Sequence, residues 1–155
     1  MWLAAALGLL TPQQETAWTA RLLTGNTQQR RDAAILIHLL RRPEHSTALT
    51  ALLADPDGGV RAAAARALAR RVLHDPADET AVQGVLLAAA QPCFTVPHSI
   101  AWTFTEQRPD SPPGQQLTSA LASLSSHASG MVRQLARRAT QLWAEDGPDS
   151  AHAPS

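Results

Sequence analysis

The chain contains no lysine, no tyrosine and only one cysteine, and these absences exclude several kinds of chemistry. Without lysine there is no P-loop to cradle nucleotide phosphates and no amine to form a Schiff base. Because Cys93 is the only cysteine, no disulfide can form within the chain, and nothing demands an oxidising compartment. The composition therefore favours a cytoplasmic protein.

Long hydrophobic runs and an excess of one charge are also missing. The longest apolar run is the nine residues after Met1, whereas a membrane-spanning helix needs about 20. Thirteen arginines balance thirteen acidic residues, so the net charge is zero and no overall field attracts nucleic acid or a membrane. We therefore predict that the protein does not associate with membranes.

Residue constellations for catalysis are equally scarce. No Gly-x-Ser-x-Gly nucleophile elbow occurs, and no two of the six histidines lie three or four residues apart, as metal ligands on one helix would. Cys93 and His98 are five residues apart, but a small buried thiol is the commoner role of such a cysteine. We predict no catalytic residue, no cofactor and no metal site, and hence that the protein is not an enzyme.

What the sequence does contain is an internal repeat. Four equivalent positions recur at spacings of 30, 36 and 36 residues, and they are Arg30, Val60, Val96 and Val132. A period of this size indicates a stacked array of helix pairs. It divides a single domain at 1–145 into four units, at about 11–42, 43–73, 75–106 and 115–145.

The second unit carries a family resemblance. Residues 52–68, with an Asp-Pro turn, a Val-Arg pair and small residues before an Ala-Leu, resemble a bacterial HEAT repeat of the phycobilisome-lyase-like type. Residues 129–139 match less closely, and 30–34 and 96–104 match in part. The resemblance implies an all-α, right-handed α-solenoid of about four HEAT-like helix pairs, with the second helix of each pair on the concave side. Tetratricopeptide and ankyrin periods fit the unit lengths better, but their signature residues are absent.

Cap residues and prolines locate the helices. Thr11, Pro12 and Gln14 form a helix start, and Asp-Pro at 55–56 and at 75–76 repeats the arrangement. The predicted first helices of the units, the A helices, lie at about 12–23, 44–54, 76–90 and 115–125. The predicted second helices, the B helices, lie at about 28–42, 56–73, 97–106 and 129–145. We also predict a short capping helix near 1–10, a Pro-rich surface loop at 107–114 and a disordered tail at 146–155.

The third unit departs from the pattern. Pro97 replaces the arginine of the Val-Arg pair, and Trp102 and Phe104 are bulky, so we expect this unit to be irregular and both rings to supply buried area. Ala64 and Ala136, by contrast, are small at equivalent positions, which predicts a close approach of neighbouring helices.

The arginines suggest both structural and binding roles. In HEAT arrays a loop aspartate and the arginine after the valine form a ladder between repeats, so the resemblance implies a ladder with Asp55, Arg61 and Arg133. The remaining arginines of the B helices would contact an acidic protein partner, and the candidates are Arg30, Arg66, Arg70 and Arg137. Residues 27–73 carry eight arginines against four acidic residues, which favours this role. Exclusive use of arginine also fits the codon bias of a GC-rich genome.

Three functions remain open at this point. The repeat array without catalytic motifs favours a monomeric protein-binding scaffold or adaptor. The arginine-rich B helices would also suit a nucleic-acid-binding protein similar to the HEAT-like alkylation-repair glycosylases, although zero net charge argues against it. The third function, that of an accessory subunit of a lyase-type enzyme, is supported by the fold resemblance alone.

Overall fold

The computed structural model describes residues 8–40, 42 and 44–145, and in them it shows helices and no strand. The predicted all-α class is therefore confirmed for this part of the chain. Most of the predicted capping helix near 1–10, and all of the predicted tail at 146–155, lie outside the described residues. The helices are α1 Pro12–Leu23, α2 Thr27–Leu40, α3 His45–Leu52, α4 Gly58–His74, α5 Glu79–Ala89, α6 Thr95–Glu106, α7 Gln115–Ser125 and α8 Gly130–Ala144.

Side-chain caps fix where the helices begin. Thr11 and Gln14 form the predicted reciprocal capping box at the start of α1. The helices predicted after the two Asp-Pro pairs begin later, because Asp57 caps α4 and Asp78 caps α5. In both cases a carboxylate two or three residues after the aspartate of the Asp-Pro pair accepts an N–H of the first turn, which would otherwise have no partner.

The helices form two layers. Each A helix (α1, α3, α5 and α7) contacts the B helix that follows it (α2, α4, α6 and α8). The B helices also contact one another in order, α2 with α4, α4 with α6 and α6 with α8, and α5 lies between α3 and α7 in the A layer. Neighbouring pairs therefore bury apolar surface on each other, as stacked repeats do.

The core runs through this stack, and its widest side chain is Phe104. Phe104, Ala64 and Ala136 have no exposed surface. Small residues let neighbouring helices approach closely, and the aromatic ring fills the wider space in the third unit. The predicted burial of these three residues is confirmed.

Trp102 corrects the prediction for the third unit, since 45% of its surface is exposed. Residues two positions apart in sequence lie about 200° apart around a helix axis, so Trp102 and Phe104 cannot both point into the core. The helix itself is regular from Thr95 to Glu106, because Pro97 lies in the first turn, where a missing N–H costs no intrahelical bond.

The first unit is also aligned differently from the sequence pattern. The Asn26 Oδ1 atom accepts the Gln29 N–H at 3.0 Å, as Asp57 Oδ1 accepts the Val60 N–H at 2.9 Å. Gln29 is therefore the counterpart of Val60, and Arg30 becomes the counterpart of Arg61. The spacing between equivalent positions of the first and second units is therefore one residue longer than the sequence pattern indicated.

The Pro-rich stretch at 107–114 contains no helix, as predicted, and it is held against α4. The Asp110 N–H donates to the Leu73 carbonyl oxygen at 2.9 Å, and the Asp110 carboxylate lies 2.8 Å from Nδ1 of His74. The loop therefore covers the C-terminal end of α4.

Candidate binding surface

Arg30, Arg61 and Arg133 repeat one structural contact. Each is the fourth residue after its cap, and each donates to carbonyl oxygens of its own preceding loop. Arg61 Nη1 lies 2.7 Å from the Asp55 carbonyl oxygen, and Arg133 Nη1 lies 2.7 Å from that of His127. Arg30 Nη1 donates to the Gly25 carbonyl oxygen at 2.9 Å. These arginines hold the loops that enter the B helices.

The ladder between units joins different residues from those predicted. The Asp55 carboxylate binds Arg30 of the preceding unit at 2.6 Å and 3.1 Å, rather than the side chain of Arg61. Its Oδ1 atom also accepts the Asp57 N–H at 2.9 Å. The bond from Arg30 holds the pKa of the Asp55 carboxyl below its usual range. Arg30, predicted to contact a partner, is thus engaged within the fold.

A histidine takes the place of this aspartate in the last unit. His127 Nδ1 accepts the Ser129 N–H at 3.0 Å, so the proton resides on Nε2, which donates to the Gln91 carbonyl oxygen at 3.1 Å. His127 therefore links the third and fourth units as Asp55 and Arg30 link the first two.

Arg71 is also part of the fold. Its Nε lies 2.7 Å from the Asp78 carboxylate, which additionally accepts the Ser46 hydroxyl at 2.5 Å. Burial opposes ionisation of Asp78, but the bonds from Ser46, the Ala81 N–H and Arg71 outweigh it and lower its pKa. This junction joins the second and third units at the end of α4.

The predicted partner-contact residues Arg66, Arg70 and Arg137 differ in their surroundings. Arg66 and Arg137 are exposed and form no ion pair with the described residues. Arg70 is half-buried, and its Nε has no hydrogen-bond acceptor among the described residues. Arg66 and Arg137 are thus the accessible members of the predicted set.

Arg137 lies at the end of the stack rather than beside Arg66. Its counterparts in the second and third units, Ala65 and Ala101, are fully buried, and α4 and α6 each pack against the next B helix. In the last B helix the equivalent side is open, and Arg137 lines a polar surface with Arg133 and Gln141.

The outward side of the B helices carries bulky apolar residues that the sequence reading missed. We call this surface the B face, and it is formed by Ile35, Leu39, Arg66, Arg70, Phe94, His98, Trp102, Met131 and Arg138. The equivalent residues of α2, α4, α6 and α8 on this face are Ile35, Arg66, Trp102 and Arg138, and all four are exposed. Of the seven large exposed hydrophobic residues among those described, five lie on this face.

Three rings form a column along α6 at the centre of the B face. The ring centroids of Phe94 and His98 are 4.7 Å apart, and those of His98 and Trp102 are 6.3 Å apart. Their spacing of four residues was the available sequence signal. Burial and the nearby charge of Arg66 lower the pKa of His98, so this column is uncharged at neutral pH.

A small pocket of about 60 Å³ is lined by His38, Arg71, His74 and Asp75. Within the described ranges no three His, Cys, Asp or Glu side chains converge to hold a metal ion. None of the described helices has both the length and the apolar character to cross a membrane.

Neither a family model, nor a curated protein, nor a solved structure gave a significant match to this chain.

Proposed function

We propose that this chain is a non-catalytic protein-binding scaffold that acts in the cytoplasm and binds its partner on the B face. Its fold would be a short right-handed α-solenoid of four HEAT-like helix pairs. The contacts of each B helix with the next one support this arrangement. An experimental structure that shows the opposite hand, or a closed bundle, would contradict the fold proposal.

The observation that carries the functional proposal is the composition of the B face. It places half-exposed aromatic residues next to Arg66, which has no acidic partner among the described residues. Aromatic residues and arginine are the side chains enriched in protein interfaces and their hot spots. The arginines used for structure lie elsewhere, at the loops and at the end of α4.

Site-directed photo-cross-linking tests this proposal, since a chain without lysine reacts poorly with amine-directed reagents. We suggest Met131→p-benzoylphenylalanine on the B face and Leu87→p-benzoylphenylalanine on the A layer, because both positions are more than half exposed. The expected result is a nuclease-resistant, protease-sensitive adduct from position 131 in native lysate and none from position 87.

Charge reversal then locates the contact. Arg66→Glu should abolish the adduct at position 131, whereas Arg21→Glu, an equal change in charge at an exposed residue of α1, should leave it intact. Equal loss in both variants would show a general charge effect. Absence of any adduct from the B face would contradict the scaffold proposal.

A further inference from the structure

The aromatic column on α6 has charged groups on both sides. Trp102, Arg66 and Arg138 are equivalent positions on three successive B helices, and α6 packs between α4 and α8. Arg66 is close enough for its charge to depress the pKa of His98. Arg138 is exposed and forms no ion pair with the described residues. A neutral, half-exposed ring surface is therefore flanked by two cations.

This arrangement defines the chemistry of an occupant. An apolar ligand alone would cover the rings but would leave Arg66 and Arg138 partly desolvated without counter-charges. A purely acidic ligand would pair with the arginines and leave the rings exposed to water. Only a segment that carries both kinds of side chain satisfies the whole surface.

Helix spacing sets the distance between these side chains. Neighbouring packed helices lie about 8–10 Å apart, so the cations flank the ring column at about that distance. An extended peptide in the polyproline II conformation advances about 3.1 Å per residue with three residues per turn, so side chains three residues apart lie on the same side and about 9 Å from each other. Acidic residues three positions before and three positions after a bulky apolar residue would therefore face Arg66, Trp102 and Arg138 together.

We propose that Phe94, His98 and Trp102, with Arg66 and Arg138 on either side, bind an extended acidic peptide anchored by one bulky apolar side chain. This inference rests on the proposed scaffold function and names its ligand. The anchor residue stacks on the rings, and its carboxylates pair with the two guanidinium groups.

Selection from a display library of random 12-residue peptides tests the proposal. Enriched peptides should carry Asp or Glu about three residues on each side of Trp, Phe or Leu. Fluorescence anisotropy with a synthetic consensus peptide should then show a loss of affinity of at least about tenfold for Arg66→Glu and for Trp102→Ala. Leu87→Ala and Arg21→Glu are the matched controls and should bind as the unmodified protein does.

Four outcomes would overturn the ligand assignment. Enriched peptides that lack acidic residues would mean a scaffold with a different ligand chemistry. Enriched peptides whose binding is unaffected by Arg66→Glu and Trp102→Ala would mean a scaffold with a different binding surface. Tighter binding of a 12-nucleotide oligo-dT or oligo-rU, lost in the same two variants, would reassign the column to base stacking. Failure to enrich any peptide while the photo-cross-link at position 131 persists would exclude a short linear ligand but retain the scaffold.

Discussion

The two halves of the molecule are joined by different chemistry. Four ion pairs between an arginine and a carboxylate lie in the first half of the chain, from Glu15 to Asp78. The third and fourth units are joined by neutral groups instead. The Trp143 Nε1–H donates to the Phe104 carbonyl oxygen at 3.1 Å, and the two rings are 5.1 Å apart.

Equivalent loop positions show that the geometry does not require the charge. Asp55 and His127 occupy the same place, and each accepts the N–H of the residue two positions later. A carboxylate oxygen and an imidazole nitrogen are interchangeable as acceptors there. What the first half adds is an ionic link to the preceding unit, which makes its stability depend on salt and pH.

The largest expected effect on stability comes from removing a packed, uncharged side chain in the second half. Phe104→Ala should lower the free energy of unfolding by about 3–5 kcal/mol, because it empties a fully buried site between α6 and α8. Urea denaturation followed by circular dichroism measures the change. Trp102→Ala, on the same helix but half-exposed, is the control and should lower the free energy by a smaller amount, about 1–1.5 kcal/mol. Similar losses for both variants would mean that Phe104 is not the main packing contribution to the stability of the second half.

Much of this architecture could be predicted from the sequence because it depends on local patterns. The capping box of Thr11 and Gln14, the burial of Ala64 and the irregular loop at 107–114 each follow from short-range residue preferences. The repeat period predicted the alternation of A and B helices, and each A helix contacts the B helix that follows it.

Other features depend on the distance between loops, which no local pattern contains. Asp55 has Arg61 six residues away in sequence, yet its carboxylate binds Arg30, which the fold brings to the same loop. The exposed ring column was missed for another reason. The spacing of four residues places Phe94, His98 and Trp102 on one side of a helix, but it does not show whether that side faces the core or the solvent.

A second prediction compares close packing in the two halves. Ala64→Leu and Ala136→Leu should each destabilise the fold by about 1–3 kcal/mol, because a larger side chain overpacks a fully buried site. Ala136 should be at the lower end, since the outer side of α8 is open and can yield. Thermal melting measures both, and Ala122→Leu, on the exposed side of α7, is the control. An unchanged melting temperature for Ala64→Leu would contradict close helix approach.

A third prediction concerns the ionic link itself. Asp55→Ala should cost about 1–2 kcal/mol, because it leaves the Asp57 N–H without its acceptor and Arg30 without its carboxylate. Part of this loss should disappear when both proteins are compared in about 1 M NaCl, where the ion pair is screened. His127→Ala removes the equivalent neutral link, and its cost should not depend on salt. Equal salt dependence in both variants would contradict the distinction between an ionic link in the first half and a neutral link in the second.

Three carboxylates of the first half determine how the stability of the fold changes in strong acid. Asp55, Asp57 and Asp78 all have pKa values below the usual 3.8 in the folded protein. Their contribution to stability is therefore fully present above that value and is lost as the pH falls through the lowered folded values. Hydrogen exchange under acid should open α2, α4 and α5 before α7 and α8.

The smallest predicted effect lies at milder pH, where two histidines titrate. Burial is the main cause that lowers the pKa of both His45 and His98 below the usual 6.5. The unfolded chain therefore binds protons first, and stability should decline as the pH falls from about 7.5 to about 5.5. His45 should contribute more, because its Nδ1 atom is enclosed without a hydrogen-bond partner among the described residues. His45→Gln should remove most of the decline in melting temperature and His98→Gln only a minor part. The reverse ranking would place the acid-sensitive site on the B face rather than in the first half.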